Sequence, residues 1–354
     1  MKKFAGMLIA LGMIAGLLSG CAEAQVQAEE SENERIDPIA VNGIDYQSVF
    51  GITMEPGSEI VMIAKGNANQ YWSAVRDGAE HAVTDLNASL GYEGSDQIKL
   101  VYEAPDVEND VEDQINMLDE ILENQPAALA LAIIDMKSCE FQLEQAQEND
   151  IPVVAFDSGK NSDIVQATCA TDHYEAAARA AQELCGAIGG KGQLAVLLAD
   201  DSSEAGIQRR DGFMDKIRAD YPEVEVVNVS YMLDQDVSAE EIAEQVIRQY
   251  PQLDGYFGAN EVASIGILNA AKKLEDSRLK IVGFDSGEEQ IEAVKEGRQV
   301  GFVTQKPYAI GYTTIVAAAR AAAGMPNAPE INTGFVWVNA DNLENDSIAR
   351  NLYQ

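Results

Sequence analysis

One four-residue sequence, Phe-Asp-Ser-Gly, occurs twice in this chain, at residues 156–159 and again at residues 284–287. Each copy follows a short apolar run rich in β-branched residues. Such runs, bounded by turn residues and separated by helical patterns, are typical of buried parallel strands. Because ligands of open α/β sheets bind at the carboxyl ends of the strands, two similar lobes would each present one aspartate, Asp157 or Asp285, at such an edge. If the lobes face each other, the two carboxylates share one cleft.

Strand-like and helix-like patterns alternate along most of the chain. In the first half, segments with helical spacing of apolar residues separate four apolar runs, at 60–64, 98–102, 128–134 and 151–156. The second half predicts helices over 176–184, 212–217, 239–247 and 264–273, alternating with strands over 193–198, 224–227, 255–257 and around Ile281. Strict alternation implies parallel sheets with helices on both faces. Since 354 residues are too many for one ordinary core, the predicted fold class is α/β with two doubly wound, Rossmann-like lobes.

The N-terminus has the pattern of an export signal. Lys2 and Lys3 precede an apolar stretch over 4–18, which is short for a membrane span, and a small-residue site follows at 18–20. Cys21 directly after Leu-Ser-Gly is similar to the bacterial lipobox, in which the cysteine is lipidated. We therefore expect a lipoprotein signal peptide over 1–20 and a lipid on Cys21; an ordinary signal peptide with an incidental cysteine is the alternative.

The residues after Cys21 are expected to be a tether. The stretch over 22–36 is polar, acidic and without aromatic residues, which predicts disorder. We place the disordered tether over 21–57, and no later segment is apolar enough to span a bilayer. The predicted location is the outer face of a bacterial cell membrane, or the periplasmic side of a membrane.

The charge of the chain excludes one class of partner. The chain has 24 lysines and arginines against 59 aspartates and glutamates, so its formal net charge is −35. Such a field repels nucleic acid and anionic lipid and disfavours a polyanionic ligand. No nucleic-acid partner is expected.

Three further cysteines, Cys139, Cys169 and Cys185, have no metal-like spacing. Free cysteine packs as a small hydrophobe, so we expect buried free thiols, with one disulfide among the three as the alternative. Neither a metal site nor a cofactor is predicted.

Catalysis is not expected either. A pair of carboxylates can perform glycosidic acid/base chemistry, but Asp157 and Asp285 fall on different lobes with no evident pocket to raise a pKa. The two histidines, His81 on a helix and His173 in a predicted turn, are in no nucleophile arrangement. The sequence therefore predicts a binding protein.

Polar and aromatic residues follow the first strand. Asn69, Tyr71 and Trp72 lie between the run at 60–64 and its helix. Aromatic rings beside amides suit a pyranose, which has apolar faces and a rim of hydroxyls. The alternative is that Trp72 packs in the core of the helix.

From Glu59 onward the chain resembles the type I periplasmic sugar-binding proteins, the ribose-binding group whose lobes also form the ligand core of lactose-repressor-like regulators. The matching stretches occur in the family's order across nearly the whole mature chain. They are Asn69-Gln-Tyr-Trp, Arg76-Asp-Gly-Ala-Glu, Ile151-Pro-Val-Val-Ala-Phe-Asp157, Arg209-Arg-Asp-Gly-Phe213, Tyr256-Phe-Gly-Ala-Asn260, Val282-Gly-Phe-Asp285 and Thr304-Gln305-Lys-Pro.

This resemblance implies the residues that hold the ligand. In the family, the amide and the paired aromatics after the first strand bind the sugar, together with an arginine and further carboxylate and amide side chains. On this sequence the corresponding positions are Asn69, Tyr71, Trp72, Asp157, Arg209 rather than Arg210, Asn260, Asp285 and Gln305. Two positions depart from the ribose binders: Ser158 replaces an arginine, and Ala132 replaces an asparagine. We include Ser158 among the expected ligand contacts, and the departures leave room for a ligand other than ribose.

The resemblance also implies a three-segment hinge. In the family the chain crosses between lobes three times, and the crossings fall near 171–172, 305–306 and 333–334. The N-terminal lobe is then expected over 58–171 with 306–333, and the C-terminal lobe over 172–305 with 334–354.

The function implied is that of a monomeric lipoprotein that captures a monosaccharide or polyol and delivers it to the permease subunits of an ABC importer. Within binding proteins, a nucleoside or a signalling furanone is the alternative ligand. A sensor subunit that reports sugar to a membrane kinase or chemoreceptor is the alternative role. A transcription regulator is excluded because the chain is exported and no helix-turn-helix precedes the core.

Overall fold

The computed structural model describes residues 38–159, 162–233 and 235–353. In chain order the strands are β1 (Ala40–Val41), β2 (Ile44–Asp45), β3 (Glu59–Ile63), β4 (Lys99–Glu103), β5 (Ala128–Leu131), β6 (Val153–Phe156), β7 (Val165–Ala170), β8 (Lys191–Leu198), β9 (Glu223–Tyr231), β10 (Leu253–Gly258), β11 (Lys280–Phe284), β12 (Gly301–Gln305), β13 (Glu330–Asn332) and β14 (Phe335–Asn339). The helices are α1 (Gln70–Leu90), α2 (Val111–Glu123), α3 (Glu140–Glu148), α4 (His173–Ala187), α5 (Glu204–Asp220), α6 (Ala239–Gln249), α7 (Glu261–Lys273), α8 (Glu288–Lys295), α9 (Pro307–Ala322) and α10 (Asp346–Ala349).

The first of two six-stranded sheets has the order β13-β7-β6-β5-β3-β4, and all of its strand pairs are parallel. Its central strands are buried on both faces, as the near-continuous apolar runs predict. Helices α2 and α3 pack on one face through Leu118, Leu122 and Leu143, and α9 contacts the same sheet beside α1. We call this sheet and its helices lobe one.

Helices α1 and α9 approach each other closely through two glycines. A side chain at Gly78 would clash with the backbone of Tyr308, and one at Gly311 would clash with the backbone of Val75. Only glycine permits this separation. The contact holds the late helix α9 firmly to the first helix of lobe one.

The second sheet has the order β14-β12-β11-β10-β8-β9. With its helices we call it lobe two; α4 and α5 belong to the core on one face, and α6 and α7 to the core on the other. The predicted α/β fold with two doubly wound lobes is confirmed. One strand departs from the all-parallel expectation, because β14 is antiparallel to β12.

The direction of β14 follows from the path of the chain. After β12 the chain leaves lobe two, forms α9 and β13 in lobe one, and returns between Asn332 and Phe335. It therefore re-enters lobe two at the edge where the parallel strands end, and Phe335 pairs with Gln305 at that edge. A strand that starts there must run antiparallel to its neighbour. The sheets are thus joined by three crossings, whereas the residue boundaries assigned to the lobes stay a prediction.

Several predicted elements differ from the structure in extent. Helix α5 begins at Glu204 rather than near Gly212, because the Ser203 hydroxyl accepts a hydrogen bond from the Gly206 amide and caps a polar first half. Strand β7 was not predicted, since Val165–Ala170 lacks an apolar run. His173, expected in a turn, is the first residue of α4.

The tether predicted over 21–57 is wrong for residues 38–57, which form the β1–β2 hairpin and pack on lobe one. The side chain of Tyr46 is fully buried, and its hydroxyl accepts a hydrogen bond from the Ala328 amide at 2.6 Å. Tyr312 on α9 donates to the Gln47 carbonyl at 3.2 Å. Isolated apolar residues such as Ile39 and Ile52, scattered among polar ones, provide this packing. The signal peptide and Cys21 lie outside the described residues.

Cys139, Cys169 and Cys185 are buried and free, which confirms the thiol interpretation. Burial raises the pKa of Cys139 to about 11 and that of Cys169 to about 12, so both are protonated at neutral pH. Within the described residues, no helix combines the length and the apolar composition that crossing a membrane requires.

Candidate functional site

A cavity lies between the lobes where the strands of both sheets end. It contains about 680 Å³ of space not filled by protein atoms, part of it open to solvent. Both repeated aspartates line it. So do six other predicted ligand contacts, and together the eight are Asn69, Tyr71, Trp72, Asp157, Arg209, Asn260, Asp285 and Gln305.

The two Phe-Asp-Ser-Gly copies have the same backbone geometry at the aspartate. Asp157 and Asp285 both adopt left-handed conformations, with φ of 57° and 69°. The Asp157 amide donates to the Cys169 carbonyl at 3.0 Å, and the Asp285 amide donates to the Val303 carbonyl at 2.7 Å. In each lobe the chain therefore turns sharply at the strand end while the amide stays paired with the neighbouring strand. Such conformations are uncommon outside glycine and cluster at functional sites.

Asp157 is held by groups from lobe one. Its carboxylate accepts a hydrogen bond from the Tyr71 hydroxyl at 2.6 Å and pairs with the Lys65 ammonium at 3.2 Å. Burial acts to raise the pKa of Asp157, but the Lys65 charge, with further contributions that include the Tyr71 hydrogen bond, holds it below its ordinary value. The carboxylate is therefore ionised at neutral pH. Burial and Asp157 raise the pKa of Tyr71 well above its usual range, so its phenol stays a donor.

His173 connects Asp157 to Arg209 behind the cavity. Its Nε2 lies 2.8 Å from the Asp157 carbonyl oxygen, and its Nδ1 lies 3.3 Å from the Arg209 Nε. A carbonyl only accepts and a guanidinium only donates, so Nε2 carries the proton. Burial, reinforced by the Arg209 charge, lowers the pKa of His173 to about 3, and the ring is neutral.

Arg209 is buried at the edge of the cavity. It donates to the Ala259 carbonyl at 2.8 Å, and its guanidinium lies 3.8 Å from the centre of the Phe284 ring. Its neighbour Arg210 instead forms an ion pair with Asp211 at 2.8 Å. The helix thus places Arg209, and not Arg210, at the cavity.

Asp285 is held by groups from lobe two. Its Oδ1 accepts from the Gln305 amide at 2.7 Å and from the Tyr353 hydroxyl at 2.9 Å, and its Oδ2 accepts from the Glu261 amide at 3.3 Å. The Gln305 oxygen also lies 3.4 Å from the Tyr71 hydroxyl. The Tyr71 proton goes to Asp157 and the Gln305 oxygen can only accept, so these two side chains lie next to each other between the repeated aspartates.

Trp72 belongs both to the cavity wall and to the core. Its ring packs edge-on against Tyr71, with centroids 4.9 Å apart, and against Phe156 at 6.4 Å. Its Nε1 donates to Glu108 at 3.2 Å, and the side chain is 3% exposed. The two interpretations considered for this residue, a site aromatic and a core residue, are therefore compatible.

Asn69 and Asn260 occupy equivalent positions in the two lobes. Each caps the helix that opens after a strand: Asn69 Oδ1 accepts from the Trp72 amide at 3.1 Å, and Asn260 Oδ1 accepts from the Ala263 amide at 2.9 Å. The Asn69 amide donates to Glu108 at 3.2 Å. The side-chain amide of Asn260 has no hydrogen-bond acceptor among the described residues and lines the cavity.

Ser158 does not line this cavity. The turn at Asp157 directs it to a separate crevice near the hinge, where its hydroxyl accepts from the Ala205 amide at 3.4 Å. We therefore no longer expect Ser158 to contact a ligand. Ala132, the other departure from the ribose binders, is fully buried and does not line the cavity.

Other polar residues at the cavity were not predicted. They include Lys65, Glu108, Asp200, Ser203 and Glu261. Lys65 follows β3 and Glu261 follows β10, so their place at strand ends was a usable signal. Burial is the main cause of a raised pKa at both glutamates: the pKa of Glu108 lies above its ordinary value, and that of Glu261 is about 7. Tyr353, which contacts Asp285, could not be found from the sequence, because it lies near the chain end and follows no strand-like run.

Among the described residues, no group of three or more histidine, cysteine or acidic side chains could hold a metal ion.

Comparisons with known proteins agree with this fold. A family model described as a periplasmic binding protein domain matches residues 60–326. A xylitol-binding protein of Mycolicibacterium smegmatis is 24% identical over 250 residues, which are 70% of this chain and 69% of that protein.

Two solved structures share the fold. An ABC transporter solute-binding protein from Agrobacterium vitis with bound D-fucose has a TM-score of 0.76 and 28% identity, covering 83% of this chain and 100% of that one. A carbohydrate transporter solute-binding protein from Agrobacterium radiobacter, in complex with D-arabinose, has a TM-score of 0.76 and 26% identity, covering 83% and 98%.

Proposed function

Because this chain belongs to the periplasmic binding protein family, we propose that it captures a small carbohydrate, a monosaccharide or a polyol, and delivers it to an ABC importer. The observation that carries the proposal is the meeting of Asp157 and Asp285, one from each lobe, in a single cavity. Relatives with this fold bind D-fucose and D-arabinose.

The eight cavity residues predicted from the sequence are the proposed ligand contacts. An ionised carboxylate has about four lone-pair positions, so Asp157 and Asp285 retain capacity for sugar hydroxyls beside their present partners. The aromatic pair supplies an apolar wall for the C–H face of a sugar. The free amide of Asn260 and the guanidinium of Arg209 supply donors from lobe two.

Binding is proposed to close the lobes over the hinge. A ligand that contacts both lobes binds the closed form more tightly than the open form, so it shifts the population toward closure. The three crossings between the sheets support the proposed boundaries, 58–171 with 306–333 for one lobe and 172–305 with 334–354 for the other. The closed shape is the state that the permease subunits would recognise.

The cellular location, the membrane anchor and the oligomeric state are also proposals. The charged, apolar and small-residue pattern over 1–20, followed by Cys21, supports export and a lipid anchor on the outer face of the membrane. We propose a monomer without a cofactor or catalytic activity, in a family of transport-associated binding proteins.

A thermal-shift screen of monosaccharides, polyols and nucleosides tests the carbohydrate assignment. A ligand at about 100 times its dissociation constant should stabilise the protein by roughly 2.7 kcal/mol. We expect one or more monosaccharides or polyols to raise the melting temperature, with calorimetry giving one site per chain. A response to nucleosides alone would contradict the proposal.

A further inference from the structure

The charges around the cavity are unbalanced. Five carboxylates line it, and only two cations do, Lys65 and Arg209. The carboxylates are those of Glu108, Asp157, Asp200, Glu261 and Asp285. A neutral sugar requires no such excess.

Both cations are already engaged. Lys65 pairs with Asp157 at 3.2 Å. Arg209 donates to the Ala259 carbonyl and to His173, and its guanidinium lies against the Phe284 ring. Neither forms an ion pair with Glu108 or Glu261 among the described contacts. The Lys65 charge acts on Glu108 and lowers its pKa, whereas no cation is among the groups that act on Glu261.

Glu108 and Glu261 approach the cavity from opposite lobes. Glu108 follows β4 in lobe one and accepts hydrogen bonds from two neutral donors, the Asn69 amide and the Trp72 indole, both at 3.2 Å. Glu261 opens α7 in lobe two, and its carboxylate accepts no hydrogen bond from the described residues. It lies against Gly287, where any side chain would collide with it.

The charged groups that act on Glu261 are all negative. Burial is the main cause of its raised pKa, and Asp285 and Glu108, which line the cavity with it, and Glu289 on α8 raise it further. A partly buried carboxylate without a cation is costly, and the cost falls when a positive charge is placed beside it. Because Glu108 and Glu261 repel each other across the cavity, that cost remains unless the ligand carries a cation.

We propose that the ligand is an amino sugar or an amino polyol, whose ammonium group lies between Glu108 and Glu261 while its hydroxyls bind Asp157 and Asp285. This inference rests on the proposed carbohydrate-binding function and assigns the ligand class at the same cavity. The ammonium provides three donors for the two carboxylates. It also makes closure favourable, since the cation contacts one acidic residue from each lobe.

Matched ligand pairs test the inference by titration calorimetry. The pairs are sorbitol with glucamine, in which an amine replaces one primary hydroxyl, D-galactose with D-galactosamine, and D-glucose with D-glucosamine. We expect the amine member of a bound pair to bind at least about tenfold more tightly at neutral pH, which corresponds to ~1.4 kcal/mol. Glucamine is a primary alkylamine and stays protonated from about pH 5.5 to about pH 8. As the pH is lowered across this range, Glu261 takes up a proton, so the preference for glucamine over sorbitol should become smaller.

Two variants locate the effect. Glu261→Gln should remove most of the difference between the members of a pair, and Glu108→Gln should do so from the opposite lobe. Glu292→Gln is the matched control, because Glu292 is an exposed glutamate on α8 that does not line the cavity and is not among the charges that raise the pKa of Glu261; it should keep the preference. Equal or tighter binding of the neutral members to the wild-type protein overturns the inference and leaves the carbohydrate function intact. Binding of nucleosides alone, with no member of any pair bound, overturns both.

Discussion

The hydroxyl of Tyr353 donates a hydrogen bond to Oδ1 of Asp285 at 2.9 Å, so the end of the chain holds a carboxylate of the cavity. The ring of Tyr353 packs edge-on against Tyr71 of lobe one, with centroids 5.6 Å apart. The Tyr353 amide donates to the Ser286 hydroxyl at 3.1 Å, and the Thr304 hydroxyl donates to the Asn351 carbonyl at 3.2 Å. These contacts tie the C-terminal segment to the strand ends that carry the site.

Tyr353→Phe should weaken binding of the ligand by about 1 kcal/mol, the usual net value of one hydrogen bond. The ring remains, so packing on Tyr71 is kept, but Asp285 loses one of the donors that orient it. Calorimetry with the best ligand of the screen measures the change. Tyr250→Phe, at a tyrosine that does not line the cavity, is the control. Wild-type affinity in Tyr353→Phe would show that the hydroxyl does not position Asp285.

Asp157→Ala and Asp285→Ala should each weaken ligand binding by about 2 kcal/mol or more, because charge-assisted hydrogen bonds to hydroxyls are lost from one lobe. Asp157→Ala should also lower the free energy of unfolding, since it leaves the buried Lys65 ammonium without its partner. Asp341→Ala, at an exposed aspartate, is the control. Unchanged affinity in either variant would remove that aspartate from the binding site.

Trp72→Ala should reduce both affinity and stability, because the ring lines the cavity and packs on Phe156. Trp72→Phe should be milder in both measurements: it keeps an aromatic face but loses the donor to Glu108. Calorimetry and denaturant unfolding separate the two effects. If Trp72→Ala lost several kcal/mol of stability while its affinity stayed intact, Trp72 would be a core residue only.

The stability of the ligand-free protein should fall as the pH falls from about 6.5 toward 3, and His173 should contribute to the fall. Its pKa is about 3 in the folded protein and 6.5 as an isolated side chain, so in this window the unfolded chain binds a proton that the folded protein does not. Glu261 acts in the opposite sense: its folded pKa of about 7 is raised, so it contributes stability at low pH that is lost as the pH rises through 7.

The difference between the wild-type protein and His173→Gln isolates the histidine. A glutamine can donate to the Asp157 carbonyl and accept from Arg209 without titrating. Melting temperatures measured across the window should show a shallower loss in the variant. Parallel curves for the two proteins would mean that His173 does not remain neutral in the fold.

Ligand binding should reduce the radius of gyration in solution, because a ligand that bridges Asp157 and Asp285 favours the closed lobes. Small-angle scattering with and without saturating ligand measures this. An unchanged radius, with binding confirmed by calorimetry, would contradict closure as the response.

The strand ends could be read from the sequence because their signal is local. An apolar run followed by Phe-Asp-Ser-Gly specifies both a buried strand and the turn that presents the aspartate, and the structure places both aspartates at one cavity. Ser158 does not line that cavity, because the left-handed conformation at Asp157 turns the next residue away. The spacing of residues along the sequence does not predict the backbone conformation at Asp157, and so it does not predict where the Ser158 side chain lies.

The remaining misses depend on contacts between distant parts of the chain. Glu108 looks like an ordinary surface glutamate until the fold places it at the cavity. Tyr353 and Asp285 are 68 residues apart. The direction of β14 depends on which lobe the chain has just left, and the packing of Tyr46 depends on residues near Ala328. No periodicity within a short window reports any of these.

The placement of α9 and β13 in lobe one has a consequence for how such proteins can be recombined. A gene fragment that stops at residue 171 encodes a sheet without its edge strand β13 and without the helix that packs on α1 through Gly78 and Gly311. A chimera made with a single splice would therefore combine parts of two unfinished lobes. Exchanging a whole lobe with a relative needs junctions at all three crossings. Each lobe is encoded by segments that are not adjacent in the gene, so a single recombination event separates residues that pack together in one lobe.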